Sequence, residues 1–172
     1  MKQYSKRMVI IHWLTLAMLV VAWFLGNSLD EARHEEGATL MGYLVHVLVG
    51  GAILLMTILR LTFRSVDGTP PPVGQSLMDL VAKGIQHGLY GLLLLLPISG
   101  FMTVLTSSVG LALLAGDASL LPKKYTGAGV APHEVHEILM WVLIAVVALH
   151  ILGAVKHQFI MKDGLMERMS LR

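Results

Sequence analysis

The sequence has 172 residues, of which 55% are hydrophobic and 14% are charged, and its formal net charge is +2 at pH 7. Because a soluble domain carries about a quarter charged residues, this composition argues against a water-soluble domain and indicates a chain that lies in lipid. The small net charge gives no argument for binding to nucleic acid. The absence of cysteine excludes disulfides, thiolate-held iron–sulfur clusters and haem attached through a Cys-x-x-Cys-His motif.

Four apolar segments are each long enough to cross a bilayer, which takes about 20 residues of helix. They cover approximately residues 8–27, 40–63, 84–105 and 133–159. Residues 1–172 are therefore predicted to form a single all-α domain, a bundle of four transmembrane helices. The first segment resembles a signal peptide, but its length and the lack of a clear cleavage site favour a retained helix. Pro97 predicts a kink in the third segment.

The three connections differ in composition. Residues 27–39 are polar and acidic, with Asp30, Glu31, Glu35 and Glu36. Residues 64–83 contain Pro70-Pro71-Pro72, which cannot continue a helix and favours an extended segment. Residues 106–132 include an apolar run at 109–115 that is too short to span, so we predict a re-entrant or interfacial segment there.

Lysine and arginine are distributed unequally between the two ends of the predicted bundle. One end holds Arg33, Lys123 and Lys124, and the other, with the N-terminus, holds Lys2, Lys6, Arg7, Arg60, Arg64, Lys83, Lys156, Lys162, Arg168 and Arg172. Because positive residues accumulate on the cytoplasmic side, both termini are predicted to be cytoplasmic. The acidic first connection then lies outside.

Four histidines lie inside the apolar segments, at His12, His46, His136 and His150. An ionisable side chain in the membrane is costly and predicts a functional site. If successive helices alternate in direction, His12 and His150 both lie near the inner face, and His46 and His136 both lie near the outer face. Two such pairs suit two haem b groups with histidine axial ligands. Zinc or copper is less favoured, because the mid-membrane sequence lacks carboxylate and thiolate ligands.

The spacing within the last segment supports this interpretation. His136 and His150 are 14 residues apart, which is about 40° short of four helical turns, so they share a face. Their separation along the axis is about 21 Å, enough for two porphyrins within a hydrocarbon core about 30 Å thick. Gly50, Gly51 and Gly153 lie one turn from a histidine and would let a flat macrocycle approach, although small residues also serve helix packing.

Other polar residues have weaker signals. His34 is expected to be solvated, and His133, beside Pro132, suits a role at a helix start. His87 could be an alternative ligand to His12 or a quinone contact, or simply an interfacial residue. Arg7 and His157 would lie close together if the first and last segments pack. They could then bind a quinone carbonyl or a haem propionate, or simply extend to the membrane interface.

An ordered set of motifs extends across the whole chain. The set comprises Tyr4-Ser5, Ile11-His12-Trp13-Leu14, His46 with Gly50, Arg60-Leu61, Pro70-Pro71-Pro72, Leu96-Pro97-Ile98-Ser99-Gly100, His136-Glu137, and Leu149-His150 to His157. This set resembles the bacterial cytochrome b-561 family, four-helix di-haem b proteins of the inner membrane. The resemblance implies haem ligation by His12 with His150 and by His46 with His136, and electron transfer to ubiquinone. One branch of that family oxidises superoxide at the outer face.

The resemblance favours a superoxide:quinone oxidoreductase that takes electrons from superoxide at the periplasmic face and delivers them to ubiquinone. Lys123 and Lys124 could then form a positive funnel for the anion, or belong to an ordinary solvated loop. Two alternatives stay open. The chain could be an anchor subunit that passes electrons from a partner dehydrogenase or hydrogenase to quinone, or a carrier or structural bundle without haem. The third connection departs from the family pattern in its apolar residues and glycines.

Overall fold

The computed structural model describes residues 3–34, 37–71 and 77–171. This part of the chain contains the α-helices α1 (Lys6–His34), α2 (Leu40–Asp67), α3 (Leu77–Thr106), α4 (Ser108–Ala115) and α5 (Val130–Val155). Helices α1, α2 and α3 and the stretch Gly127–Met161, which includes α5, are long and apolar enough to cross a membrane. The prediction of an all-α chain with four membrane helices is thus confirmed. The residues Lys2, Glu35, Glu36, Pro72 and Arg172, used in the sequence analysis, lie outside the described residues.

The helices extend beyond the apolar segments into polar sequence. Helix α1 continues to His34, so most of the expected first connection is helical. Within this extension Asp30 pairs with Arg33 three residues later, and His34 Nδ1 lies 2.7 Å from the carbonyl of Asp30. Such i,i+3 and i,i+4 contacts support helix in exposed polar sequence. Helix α3 likewise begins at Leu77 and runs without a break through Pro97.

The apolar run in the third connection forms the short helix α4. The Ser107 hydroxyl accepts a hydrogen bond from the backbone N–H of Val109 at its start, and Gly116 ends it in the left-handed conformation, at φ 68°. Val109 and Ala112 are buried, because α4 packs against α3 and α2. Since α4 has only eight residues, it does not span a bilayer.

The long helices leave a gap beside α5. Helix α1 packs against α2, α2 against α3, and α3 against α5, whereas α5 stands apart from α1 and α2 along most of the described chain. A core of Ile53, Leu93 and Leu143, one from each of α2, α3 and α5, packs these three helices together. Leu143 is seven residues from both His136 and His150, so this core lies at a level between the two histidines.

The C-terminal segment folds back onto the N-terminal end of the chain. After α5 the chain makes a π-helical turn, Lys156–Met161, and then a 3-10 helix, Leu165–Met169. The backbone N–H of Tyr4 donates to the carbonyl of Arg168 at 3.1 Å, and Trp13 Nε1 donates to the carbonyl of Met169 at 3.0 Å. The first and last described residues therefore lie at the same end of the bundle.

Candidate functional site

The four membrane histidines form two facing pairs across the gap beside α5. The ring centroids of His46 and His136 are 6.2 Å apart, with planes at 78°. Those of His12 and His150 are 6.4 Å apart, with planes at 75°. A transition metal binds an imidazole nitrogen at about 2 Å, so a metal held between two imidazoles places their ring centres about 6 Å apart. Both pairs have the spacing that a shared iron requires.

His136 is held in one orientation by α3. Its Nδ1 lies 2.9 Å from the carbonyl oxygen of Leu96 and 3.1 Å from the hydroxyl of Ser99. A carbonyl can only accept, so Nδ1 carries the proton and donates, which leaves the lone pair on Nε2. Histidine ligands of metals are held in this way, with the second ring nitrogen donating to a carbonyl. From the sequence, the motif Leu96 to Gly100 indicated only a kink at Pro97, and the role of Leu96 in orienting His136 was missed.

Glycines bring the helix backbones against the rings of His46 and His136. A Cβ on Gly100 would lie 2.9 Å from His136 Cε1, and a Cβ on Gly26 would lie 3.3 Å from His46 Cε1. By contrast, a Cβ on Gly50 or Gly51 would meet nothing within 4 Å. The first two glycines therefore support the rings, whereas the last two border open space, as a site for a flat macrocycle requires.

That open space is a cavity of about 860 Å³ that reaches both His46 and His136. Its volume lies within the range of about 300–1,000 Å³ typical of cofactor pockets. The lining is mostly apolar and includes the aromatic side chains of Trp23, Phe24, Phe101 and Trp141. In the described ranges no three His, Asp or Glu side chains cluster as a metal-ion site. The residues present therefore fit an apolar planar group with iron between the two imidazoles.

Polar side chains gather where this cavity meets the α4–α5 connection. The Tyr125 ring lies on the His133 ring at a centroid distance of 3.9 Å, and the Arg33 guanidinium is 5.1 Å from the Tyr125 centroid. Burial and the neighbouring Tyr43 raise the pKa of Tyr125. His133 Nε2 lies 3.3 Å from a carboxylate oxygen of Glu137. His133 thus belongs to a packed cluster and does more than start a helix. Lys123 and Lys124 are exposed beside this cluster.

The pair of His12 and His150 has a different environment, because an arginine contacts one of its rings. Arg60 Nη1 lies 2.6 Å from His12 Nδ1. The guanidinium carbon is 5.7 Å from the centroid of Tyr90, and the Nε atom is buried without a hydrogen-bond partner. Arg60 was part of the motif set, but no sequence pattern indicated that it reaches a histidine of another helix.

The residues considered for a quinone have partners of their own. Arg7 pairs with Asp67 and lies 4.2 Å from the Phe63 centroid. His157 Nδ1 lies 2.6 Å from Asp163 Oδ2, and this hydrogen bond lowers the pKa of the Asp163 carboxyl. His87 is exposed and contacts the Lys83 carbonyl of its own helix at 2.7 Å. His34 is also exposed, as expected.

Residues 3–170 match the family model described as prokaryotic cytochrome b561. The chain belongs to this family. It is 30% identical to cytochrome b562 of Cereibacter sphaeroides over 96% of this chain and 94% of that protein. It is 27% identical to the probable superoxide oxidase CybB of Yersinia pestis, over 98% of this chain and 96% of that protein, and 22% identical to cytochrome b561 homolog 2 of Escherichia coli K12, over 98% and 91%. The resemblance drawn from the sequence motifs is confirmed. As a cytochrome b561, the chain is a multi-pass bacterial membrane protein that binds haem b and transfers electrons.

Proposed function

We propose that this cytochrome b561 holds two haems and transfers electrons through the membrane from superoxide at its outer face to a quinone at its inner face. The observation that carries the proposal is the presence of two imidazole pairs at the spacing of a shared iron. Both pairs use one helix, α5, and the 14 residues between His136 and His150 separate the two levels by about 21 Å.

His46 and His136 would hold the outer haem, and His12 and His150 the inner one. Haem b supplies reversible one-electron chemistry, with a potential set by its ligands, their hydrogen bonds and burial. The chain contributes the orientation of His136 through Leu96 and close backbone support from Gly100. Leu143, which packs with Ile53 and Leu93, lies between the two proposed levels on α5.

The proposed reaction balances with two donors for each acceptor. Two superoxide anions lose one electron each and become dioxygen, and one quinone takes both electrons and two protons to become the quinol. Lys123 and Lys124 are exposed and precede Tyr125, which lines the cavity that reaches His46 and His136. They would attract the anion, because positive side chains raise the local concentration of an anionic substrate. The relative from Yersinia pestis named as a probable superoxide oxidase supports this choice of donor.

The quinone is proposed to bind at the inner end, near the π-helical turn that contains His157. Single π-helical turns within α-helices often occur at functional sites. His157 Nδ1 donates to Asp163, so in the neutral ring Nε2 is an acceptor and would contact a hydroxyl of the quinol product. Arg7 is fixed by Asp67 against Phe63 and would border the site. His87 lies exposed on α3 and is the weaker contact.

The haem assignment is tested by a reduced-minus-oxidised spectrum together with the number of haems per polypeptide. The wild type is expected to contain two, and His46→Ala and His12→Ala should each contain one, from different pairs. His34→Ala is the matched control, since His34 is exposed outside the bundle core, and it should retain both. Retention of two haems in either ligand variant would overturn the pairing, and absence of a b-type band would overturn the haem assignment.

The donor is tested by mixing the oxidised protein with enzymatically generated superoxide and following haem reduction. Rapid reduction that becomes slower in Lys123→Gln/Lys124→Gln and at higher salt would support the proposed funnel, since screening weakens attraction between exposed charges. Inertness of the isolated protein would favour the second candidate, an anchor subunit supplied by a partner dehydrogenase or hydrogenase. The second candidate is retained because the chain is 30% identical to a relative whose name, cytochrome b562, specifies no electron donor.

We also propose that both termini are cytoplasmic, in the bacterial inner membrane. The first and last described residues lie at one end of the bundle, and most of the lysine and arginine near the helix ends lies there too. Reporter fusions at the C-terminus and within residues 116–124 test this. A reporter that is active only in the cytoplasm should work at the C-terminus alone, and the reverse result would invert the topology.

A further inference from the structure

Arg60 is a cation inside a membrane helix, and a carboxylate does not neutralise it in the described chain. It lies seven residues before the end of α2 at Asp67, and its Nε atom is buried without a partner. Among the ion pairs of the described residues none involves Arg60. Because a charge in the membrane interior is costly, an unneutralised guanidinium here points to an anion that the polypeptide does not supply.

Arg60 lies beside the inner histidine pair, so the anion that neutralises it is expected there. His46 and Arg60 are 14 residues apart on α2, as His136 and His150 are on α5, so each residue pair shares one face of its helix. At the outer level α2 provides His46 opposite His136. At the inner level it provides Arg60, which contacts His12 at 2.6 Å, and the His12 ring is 6.4 Å from that of His150.

The contact with His12 is incompatible with iron ligation through Nε2. A guanidinium can only donate, so His12 Nδ1 accepts and the proton of a neutral ring stands on Nε2. A neutral imidazole that ligates iron through Nε2 carries its proton on Nδ1, which then cannot accept from Arg60. His136 shows the compatible arrangement, with Nδ1 donating to the carbonyl of Leu96. When His12 ligates iron, Arg60 therefore needs a different acceptor.

We infer that Arg60 binds a propionate carboxylate of the inner haem, leaving His12 Nδ1 free to donate. This inference rests on the proposed haem between His12 and His150. An arginine matches a carboxylate with two parallel hydrogen bonds, which are stronger than bonds between neutral groups. The guanidinium and the propionate neutralise each other, so Arg60 raises the potential of the inner haem by offsetting a negative charge that would otherwise favour the oxidised form.

The test compares Arg60→Gln with Arg64→Gln. Arg64 is a matched control, because it lies one turn along the same helix and over the same Tyr90 ring, at 5.9 Å, without contacting His12. In Arg60→Gln the inner haem is expected to become harder to reduce by about tenfold, equivalent to about 59 mV for one electron. The propionate bending band in resonance Raman spectra should shift in the same variant. Arg64→Gln should match the wild type in both measurements.

A second arm removes the carboxylates instead of the arginine. Protein reconstituted with the dimethyl ester of haem has no carboxylate for Arg60 to bind, so the wild type should retain the inner haem no more tightly than Arg60→Gln does. If Arg60→Gln loses the inner haem, Arg60→Lys carries the test, since it keeps the charge and should restore binding with a shifted Raman band. Loss of the haem in both variants would overturn the inference.

Three results separate the possible failures. Equal potentials and Raman bands in Arg60→Gln and Arg64→Gln would overturn the role of Arg60 while leaving the haem sites intact. A shift that appears only in nanodiscs with anionic lipid, with the propionate band unchanged, would assign the anion to a lipid phosphate and overturn the inference. Retention of both haems in His12→Ala would instead show that the proposed inner site is wrong.

Discussion

Gly100 lies directly against the imidazole of His136, so close that a Cβ on Gly100 would be 2.9 Å from Cε1 and 3.0 Å from Nδ1. The glycine and the hydrogen bond from His136 Nδ1 to the carbonyl of Leu96, at 2.9 Å, belong to the same turn of α3. One turn of helix therefore fixes both the distance and the direction of this ring. The Leu96–Gly100 motif acts as a seat for a histidine on α5.

We expect Gly100→Val to lose the haem proposed to lie between His46 and His136. The added side chain would push the ring off α3 and break the Leu96 hydrogen bond, so Nε2 would no longer face His46. Gly91→Val is the matched control, because a Cβ on Gly91 meets nothing within 4 Å on the same helix. Haem per polypeptide, measured from the spectrum, should fall from two to one in Gly100→Val and stay at two in Gly91→Val. Equal haem content in the two variants would show that the close contact with Gly100 is not needed to position His136.

The helix periodicity and hydropathy of the sequence were enough to predict the four membrane helices and the arrangement of the four histidines in two facing pairs. The 14-residue spacing of His136 and His150 is a property of a single helix, so it can be read without knowing the neighbours. The alternating helix directions then predicted which rings would face each other. These inferences need only local geometry and chain direction.

The environment of each ring could not be predicted in this way. The contact between Arg60 and His12 joins residues 48 positions apart, and the Leu96 carbonyl reaches a ring 40 positions away. Both depend on how α2 and α3 rotate about their axes, which hydropathy does not fix because most of each helix surface is apolar. The extension of α1 to His34 was missed for another reason, since i,i+3 pairing outweighed the polar composition that indicated a connection.

Tyr125 makes the stability of the α4–α5 connection depend on alkaline pH. Burial raises the pKa of Tyr125 above its usual value of about 10, so the neutral phenol contributes stability that is complete below about pH 10 and is lost as pH rises through the folded pKa. Tyr125→Phe keeps the ring on His133 without the ionisable group. The wild type should lose thermal stability more steeply than Tyr125→Phe between about pH 9 and pH 11. Parallel curves would contradict the burial of this phenol.

Asp163 gives the C-terminal segment the opposite pH dependence. The hydrogen bond from His157 lowers the pKa of Asp163, and its other oxygen accepts from the backbone N–H of Leu165 at 3.0 Å. The carboxylate therefore contributes stability that is present above its unfolded pKa of about 3.9 and is lost as pH falls through the folded pKa. Hydrogen exchange of residues 162–171 should increase at low pH in the wild type and be high throughout in Asp163→Ala. Glu167→Ala is the control and should exchange as slowly as the wild type. If it exchanged as fast as Asp163→Ala, the hydrogen bonds of Asp163 would not be what holds this segment.

Leu143 tests whether the two proposed haem levels are held independently of the core between them. It is 6% exposed and packs with Ile53 and Leu93, seven residues from each histidine of α5. Truncation of a buried leucine costs about 2–5 kcal/mol in a soluble core, and we expect the lower end here because lipid already solvates apolar groups and packing is the term that is lost.

Leu143→Ala should therefore lower the thermal unfolding temperature while retaining two haems per polypeptide. Leu149→Ala on the same helix is the control, since Leu149 is 53% exposed and its truncation removes little packing. Both variants keep all four histidines and their hydrogen-bond partners, so only the unfolding temperature should distinguish them. If Leu143→Ala lost a haem at temperatures where it stays folded, the core would be positioning the ligands as well as separating the two levels.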